Sequence, residues 1–121
     1  MITIELPFPS SELSPNARIH WAVKSRATKD ARAEGWYAAI FDVGWGDKSK
    51  LKASDLRCTW TFYPPDLRRR DDDNLVRQCK AYRDGVCDAL GIDDSQIKET
   101  VSRMADVDRP DGRVVMTLEA M

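Results

Sequence analysis

The sequence predicts an α+β domain in which two main helices cover one face of a mixed, mostly antiparallel sheet, in the order β-α-β-α-β-β. Residues 2–6, 56–63 and 114–119 alternate apolar and polar side chains, as half-buried strands do. Residues 28–43 and 74–90 instead repeat apolar positions every three or four residues, the period of an amphipathic helix. The 121 residues contain no repeat or internal linker, so we expect a single domain.

The first strand is followed by a long irregular segment. Residues 2–6 form the strand, which Pro7 stops because proline lacks a backbone N–H. Residues 8–27 show no clear period and predict a long loop, whose cations and aromatic residues favour a functional role. His20 and Trp21 within it are more typical of packing residues than of ligands.

The two helices have expected starting points. Thr28 is the expected N-cap of the first helix, which runs to about Val43 and is ended by Gly44 and Gly46. Asp73 stands where the second helix, residues 74–90, needs its N-cap.

The C-terminal part of the chain predicts two further strands. The acidic pair Asp93-Asp94, which by itself is typical of a turn, opens a strand that runs to about Val107. A turn at residues 109–112 then leads to the last strand, residues 114–119. The final two strands are therefore expected to form a hairpin.

Composition restricts the compartment and the kind of binding. No apolar run approaches the roughly 18 residues of a membrane span, and the N-terminus does not resemble a signal peptide, so we expect a cytoplasmic protein without membrane contact. A net charge of −1 argues against a general coating of nucleic acid and leaves local patches. One patch, residues 17–32, sets five cations against the single acid Asp30, namely Arg18, Lys24, Arg26, Lys29 and Arg32. Cys58, Cys79 and Cys87 form no CxxC pair and are expected to be reduced and buried or inert.

The most informative segment is Asp-Leu-Arg-Arg-Arg-Asp-Asp-Asp-Asn at residues 66–74. In an extended chain Asp71 and Asp73 point to one side and Asp72 to the other. Two such carboxylates suit Mg²⁺, with Mn²⁺ as a substitute, because Mg²⁺ takes few protein oxygens and keeps positions open for water and phosphate. The alternative is a helix cap that also interacts with the helix dipole. The three preceding residues, Arg68, Arg69 and Arg70, are planar cations that match phosphate.

The order of these motifs resembles that of the RusA family of Holliday-junction resolvases. Residues 69–75 read R-R-D-D-D-N-L, residues 88–90 read D-A-L and residues 93–97 read D-D-S-Q-I. The N-terminal strand with its proline-rich end is also similar, as is the basic loop that carries Asn16, Arg18 and His20.

The resemblance implies a homodimeric, Mg²⁺-dependent endonuclease that cuts paired strands of a four-way DNA junction in recombination and repair, often phage encoded. Its essential acids fall on Asp71, Asp73 and Asp94, with Asn74 beside them, and Asp93 is a further candidate ligand. Metal at these acids would lower the pKa of a bound water and polarise the phosphate. The expected phosphate contacts are Arg18, Lys24, Arg26, Lys29, Arg68, Arg69, Arg70 and Asn74.

The family's catalytic lysine is expected one turn after the second aspartate of the motif. Arg77 stands there, and Lys80 follows one turn later. We favour Lys80, because a lysine approaches a leaving oxygen as a compact charge whereas a guanidinium is a poor proton donor. Arg77 also keeps open the alternative of a DNA-binding relative that does not cut.

Geometry sets a condition on this site. One straight helix over residues 74–90 would be about 25 Å long, so Asp73 and Asp94 do not meet merely by being near in sequence. Either the chain bends near Gly85 and Gly91, or the partner subunit donates Asp94, and we expect the second. Another Mg²⁺-dependent phosphoryl-transfer enzyme using Asp-x-Asp is a third reading, weakened because the chain lacks a glycine-rich nucleotide loop.

Overall fold

The protein is described by a computed structural model over residues 1–43 and 49–121. The α+β class is confirmed, with a four-stranded, mostly antiparallel sheet. The strands are β1 (Ile2–Pro7), β2 (Leu56–Tyr63), β3 (Ile97–Met104) and β4 (Arg113–Ala120), and the helices are α1 (Trp21–Val43), α2 (Ser49–Lys52), α3 (Asp72–Gln78) and α4 (Lys80–Leu90). In the described ranges, no helix is long and apolar enough to cross a membrane.

The sheet order is β1-β4-β2-β3, and it contradicts the predicted C-terminal hairpin. β4 runs antiparallel to both β1 and β2, whereas β3 lies parallel to β2 on the far side. The segment between β3 and β4 crosses the end of β2, where Ala105 N donates to Phe62 O at 2.8 Å and Asp108 N to Pro64 O at 2.8 Å. The hairpin prediction was wrong because the helical crossover from β2 to β3 places these two strands side by side and in parallel.

The core lies on the face of the sheet that the alternation predicted. On β1, β2 and β4 the inward residues are at most 2% exposed. They are Ile4 and Leu6 on β1, Leu56, Cys58, Trp60 and Phe62 on β2, and Val114, Met116 and Leu118 on β4. Their outward neighbours are mostly half-buried on β2 and β4 and mostly exposed on β1, as a sheet with one covered face requires.

Helices α1 and α4 pack on each other with almost no side chain between their backbones. An ideal Cβ on Gly35 would lie 2.4 Å from Tyr82 O, and one on Gly85 would lie 1.9 Å from Arg32 O. Only glycine permits this approach, so both glycines fix how closely α4 lies against α1.

The start of α1 differs from the prediction. The helix begins at Trp21 rather than at Thr28, and His20 caps it by accepting the Ala22 N–H at Nδ1, 3.1 Å away. Thr28 lies inside the helix and donates to Lys24 O at 2.9 Å. The first turns were missed because residues 21–28 include no fully buried side chain and show no apolar period, and Trp21, expected to pack, is 76% exposed. α1 is described as far as Val43, and the predicted terminators Gly44 and Gly46 lie outside the described residues.

The second predicted helix is two helices. α3 and α4 meet at Cys79, whose φ of −89° and ψ of 1° interrupt the regular geometry. Asp71, not Asp73, is the N-cap of α3, and Gly91 ends α4 in a left-handed conformation with φ of 67°. β3 is also shorter than predicted, because residues 94–96 form a turn of 3-10 helix and the strand stops at Met104.

Candidate nucleic-acid interface

The first acidic turn is the cap of α3. The Asp71 carboxylate accepts the Asp73 N–H at 2.9 Å, so Asp71 is extended while Asp72 and Asp73 begin the helix. The predicted arrangement of three residues in one extended segment is therefore wrong, because capping turns the chain after Asp71. The Asp71 and Asp73 side chains are nevertheless both exposed. One carboxylate stabilises the helix, and both present oxygens to solvent.

The three arginines before this turn have different environments. Arg70 is only 14% exposed and forms an ion pair with Asp66 at 2.9 Å. It also donates to the carbonyls of Asp66 and Arg68 and stacks over the Phe8 ring, 5.2 Å from its centroid. The pKa of Asp66 is lowered, first by the Arg68 N–H and then by Arg70. Arg70 therefore holds the loop in shape, whereas Arg68 and Arg69 are exposed.

The N-terminal segment folds against this same turn. Asn74 Nδ2 donates to Ser14 Oγ at 3.2 Å, and Lys24 Nζ donates to Ser14 O at 3.3 Å. Gln78 Nε2 donates to Ser10 O at 3.0 Å, and Gln78 Oε1 accepts from Asn74 at 3.2 Å. Segments about 60 positions apart in sequence thus enclose a cleft of about 440 Å³, lined among others by Arg68, Arg69, Asp71 and Asn74.

Gln78 was not singled out from the sequence, although it joins the two segments. It is 6% exposed and lies one turn after Asn74 on α3. Burying an amide side chain is costly unless the amide is hydrogen-bonded, so the N-terminal segment must lie where Ser10 can accept from Gln78. The sequence signal that could have identified Gln78 is its spacing from Asn74, because residues at i and i+4 are neighbours on one face of a helix.

A second cleft, here called the cationic cleft, lies at the junction of α3 and α4. Three cations line it, Arg77, Lys80 and Arg83, above the apolar side chains of Trp60, Val76 and Cys79. Its volume is about 160 Å³. Arg77 and Lys80, considered as alternatives for the catalytic cation, therefore line the same cleft. Arg83 was not predicted as part of this cleft, because its position depends on the break at Cys79.

The second acidic turn is also a cap. The Asp93 carboxylate accepts the Ser95 N–H at 2.9 Å, and Gln96 Oε1 accepts the Asp93 N–H at 3.0 Å. The Ser95 N–H is the main cause of the lowered pKa of Asp93. Asp94 is exposed and lies 3.9 Å from Arg83 Nη2. The turn expected for Asp93-Asp94 is confirmed.

Gln96, two residues after the acidic pair, holds the second acidic turn against the end of α2. Its Nε2 donates to three backbone carbonyls at the end of α2 and just beyond it, Leu51 O and Lys52 O at 3.0 Å and Ser54 O at 2.9 Å. The side chain therefore fixes the acidic turn against a segment more than 40 residues away. The motif contains a structural residue as well as candidate ligands.

The two acidic turns do not meet. Asp71 lines the cleft beside the N-terminal segment, whereas Asp93 and Asp94 line a separate cleft of about 430 Å³ together with Lys80 and Asp84. Across the part of the chain that is described, no three His, Cys, Asp or Glu side chains are grouped to hold a metal. Among the described residues of one chain, the two acidic turns thus belong to separate clefts. Exposed Asp71 and Asp73 fit Mg²⁺, which needs only one or two protein carboxylates and retains its waters.

A further cleft has the wrong charge for phosphate. It lies between α1 and β1, has a volume of about 970 Å³ and includes the exposed rings of Tyr37 and Phe41. Among the described residues four acids and no cation line it, the acids being Glu5, Asp30, Glu34 and Asp42. Because like charges repel at short range, the candidate nucleic-acid interface is at the two clefts in which cations outnumber acids, the cleft beside the N-terminal segment and the cationic cleft.

The fold and clefts define a small α+β domain with a cationic cleft between two acidic turns. No protein-family model matches the chain. An uncharacterized protein of Xylella fastidiosa (strain Temecula1 / ATCC 700964) is 43% identical over 122 residues, which span 98% of this chain and 76% of the relative. The chain belongs to the same family as that protein.

Proposed function

We propose that this protein is a RusA-type, Mg²⁺-dependent endonuclease of the cytoplasm that resolves four-way DNA junctions as a homodimer, in recombination and repair. The observation that carries the proposal is the hydrogen bond between Ser14 and Asn74. It joins the N-terminal basic segment to the R-R-D-D-D-N-L motif, the two parts of the sequence that resemble the family independently. Their convergence on one exposed acidic turn is what a site that binds a phosphate backbone beside a metal requires.

The chemistry divides among the residues as follows. Asp71 and Asp73 would hold Mg²⁺, which when bound supplies a more acidic water and polarises the phosphate. Arg68 and Arg69 contact neighbouring phosphates from the exposed loop, and this contact makes the affinity dependent on salt. Lys80 or Arg77 neutralises charge that develops on the phosphate during cleavage.

Asp94 completes the site from the partner subunit. Within one chain it lies in a different cleft from Asp71, and α4 separates the two acidic turns. The 11 residues of α4 alone extend about 16 Å. A second copy that turns its Asp94 toward Asp71 and Asp73 would supply the third carboxylate without any change in the fold.

The test compares a labelled four-way junction with a linear duplex of the same sequence, each with and without Mg²⁺. We expect paired nicks in the junction alone, dependent on Mg²⁺ and lost in Asp73→Asn. Asp106→Asn is the matched control, because Asp106 is an exposed aspartate outside the three clefts near the motifs. Equal cutting of the duplex, or cutting that survives Asp73→Asn, would contradict the proposal.

A second candidate, a DNA-binding relative that does not cut, is favoured by one observation. Arg77 occupies the position where the family's lysine is expected, and a guanidinium does not release a proton at neutral pH. This candidate predicts tight junction binding without nicks in any divalent metal. It also predicts that Arg77→Lys gains cleavage, whereas the endonuclease needs no such change.

A further inference from the structure

We propose that the cationic cleft binds a single phosphate group and that Arg83, which belongs to none of the three motif segments, is the residue that anchors it. If the phosphate is part of a DNA backbone, the inference rests on the proposed function and adds a contact to that same interface. If it is free phosphate, the site stands on its own. The common chemistry is a tetrahedral oxyanion recognised by a guanidinium.

The strongest support is an unsatisfied donor. Arg83 Nε is buried and has no hydrogen-bond partner among the described residues. A buried N–H without an acceptor is costly, and the cost is greater when the group is charged. Arg83 also lines the cationic cleft with a side chain that is 27% exposed, so a small rotation would let its guanidinium donate to an acceptor that enters the cleft.

The neighbours of Arg83 do not neutralise it. The thiols of Cys58 and Cys87 lie within its field, but burial raises their pKa values to about 12 and about 11, so both stay uncharged at neutral pH. Asp94 is the one carboxylate within 4 Å in the described structure, and its 3.9 Å separation is too long for a hydrogen bond. The positive charge of Arg83 is therefore only loosely compensated.

The other two cations add to the same cleft. Arg77 is exposed and has no carboxylate within 4 Å among the residues described. Lys80 is 68% exposed and pairs with Asp84 at 3.2 Å, a surface contact that a phosphate can replace at little cost. The cleft therefore has three cations, and only two nearby carboxylates among the described residues, Asp84 and Asp94, pair with them.

The shape of the cleft fits a small oxyanion. A volume of about 160 Å³ equals roughly five water molecules at about 30 Å³ each, enough for a phosphate group and some of its water. Trp60 and Cys79 form an apolar floor, being at most 1% exposed. An apolar floor lowers the local dielectric constant and strengthens the attraction between a guanidinium and phosphate.

The alternative is that Arg83 only holds Asp94 in place. That role uses Nη2 and leaves Nε without a partner, and Arg83→Lys would largely preserve it because lysine keeps the charge. A phosphate-binding role needs the planar fork, so lysine would restore it only in part. The two roles therefore differ in their response to phosphate and not merely in stability.

The first arm of the test is a titration with inorganic phosphate at constant ionic strength, followed by the backbone amide signals of the folded protein. We expect saturable shifts in residues 76–83 of the wild type that are lost in Arg83→Gln and weakened in Arg83→Lys. Arg57→Gln is the matched control, because it removes one ion-paired arginine from β2, away from the cationic cleft. Chloride at the same ionic strength should give no such shifts.

The second arm measures junction binding without Mg²⁺ as a function of salt. Loss of one phosphate contact should reduce the slope of log K against log salt by about 0.9 in Arg83→Gln and leave it unchanged in Arg57→Gln. A response in both arms supports a backbone phosphate. A response to inorganic phosphate alone, with no DNA binding by the wild type, keeps the site and rejects the proposed function.

The inference is overturned if the wild type and Arg83→Gln behave alike in both arms. Should Arg83→Gln fail to fold, the response of Arg83→Lys distinguishes phosphate binding from support of Asp94, because lysine keeps the positive charge but lacks the planar fork. An unchanged phosphate response in folded Arg83→Lys would assign Arg83 to the support of Asp94 alone.

Discussion

Asp71 shows at the scale of one residue how a structural role and a chemical role share a side chain. Its carboxylate caps α3 by accepting the Asp73 N–H, and the same side chain is a candidate metal ligand. Sequence reasoning offered the cap and the ligand as alternatives and assigned the cap to Asp73. The structure moves the cap to Asp71 and leaves both acids exposed, so the two roles are compatible.

Two substitutions of Asp71 separate these roles. Asn is as good an N-cap as Asp, so Asp71→Asn should keep the free energy of unfolding within about 0.5 kcal/mol while abolishing Mg²⁺-dependent cleavage. Asp71→Ala should lose cleavage and also about 1 kcal/mol of stability, because the Asp73 N–H loses its acceptor. Urea unfolding and junction cleavage measure the two effects, and a destabilised Asp71→Asn would contradict the capping role of the side chain.

At the scale of elements, the approach of α1 to α4 sets the position of the whole interface. Gly35 and Gly85 let the two backbones touch, and α4 begins at the cationic cleft and ends just before the second acidic turn. Arg32 of α1 also forms an ion pair with Asp88 of α4. Any change that separates the helices therefore moves Lys80 and Arg83 relative to β2.

Gly85→Ala tests this packing. Alanine favours a helix by about 1 kcal/mol over glycine, but its Cβ would lie 1.9 Å from Arg32 O, which is backbone and cannot move aside. Overpacking of this kind typically costs about 1–3 kcal/mol or more, so we expect a net loss of stability in chemical denaturation. Ser25→Ala, on an exposed part of α1, should change stability by no more than about 0.5 kcal/mol. A more stable Gly85→Ala would show that the helices can separate freely.

At the scale of the whole molecule, the topology keeps the two acidic turns apart. The chain passes from the first turn through α3 and α4 to the second turn, and β3 then enters the sheet on the outer side of β2. The turns consequently line different clefts of one chain. A homodimer with two shared sites restores their proximity, provided that each site takes Asp73 from one subunit and Asp94 from the other.

Mixing two inactive variants tests the shared site. In a heterodimer of Asp73→Asn and Asp94→Asn, one site carries both substitutions and the other carries none, so nicking should return. With random subunit exchange about a quarter of all sites would be intact, and the product should be single nicks rather than paired cuts. A mixture of Asp71→Asn and Asp73→Asn is the control, because both substitutions damage the same acidic turn and no intact site forms.

The comparison also separates two kinds of active site. If each subunit contains a complete site, both sites of every heterodimer remain damaged and neither mixture recovers. Confirmed subunit exchange without recovery in the Asp73→Asn and Asp94→Asn mixture would therefore place Asp94 in the site of its own subunit. Size measurements on the differently tagged variants establish that exchange took place.

The sequence by itself determined the α+β class, the faces of the strands, the end of α4 at Gly91 and the turn at Asp93-Asp94. These features follow from local periodicity and from residues such as Gly91 whose backbone preference is strong. The extent of α1 could not be predicted in the same way, because its first turns contain no fully buried residue and show no apolar period. The break at Cys79 was likewise hidden, since the residues around it retain helical spacing.

Only the tertiary structure decided which residues meet. It brought Ser14 into hydrogen-bonding distance of Asn74 and placed Arg83 in the same cleft as Arg77 and Lys80. It also paired Arg70 with Asp66 of its own loop rather than leaving it in solvent. It also set β2 between β3 and β4, where the sequence predicted a hairpin. The physical reason is that local sequence fixes backbone preference and hydrophobic pattern, whereas contacts between distant segments depend on how the elements pack around one core.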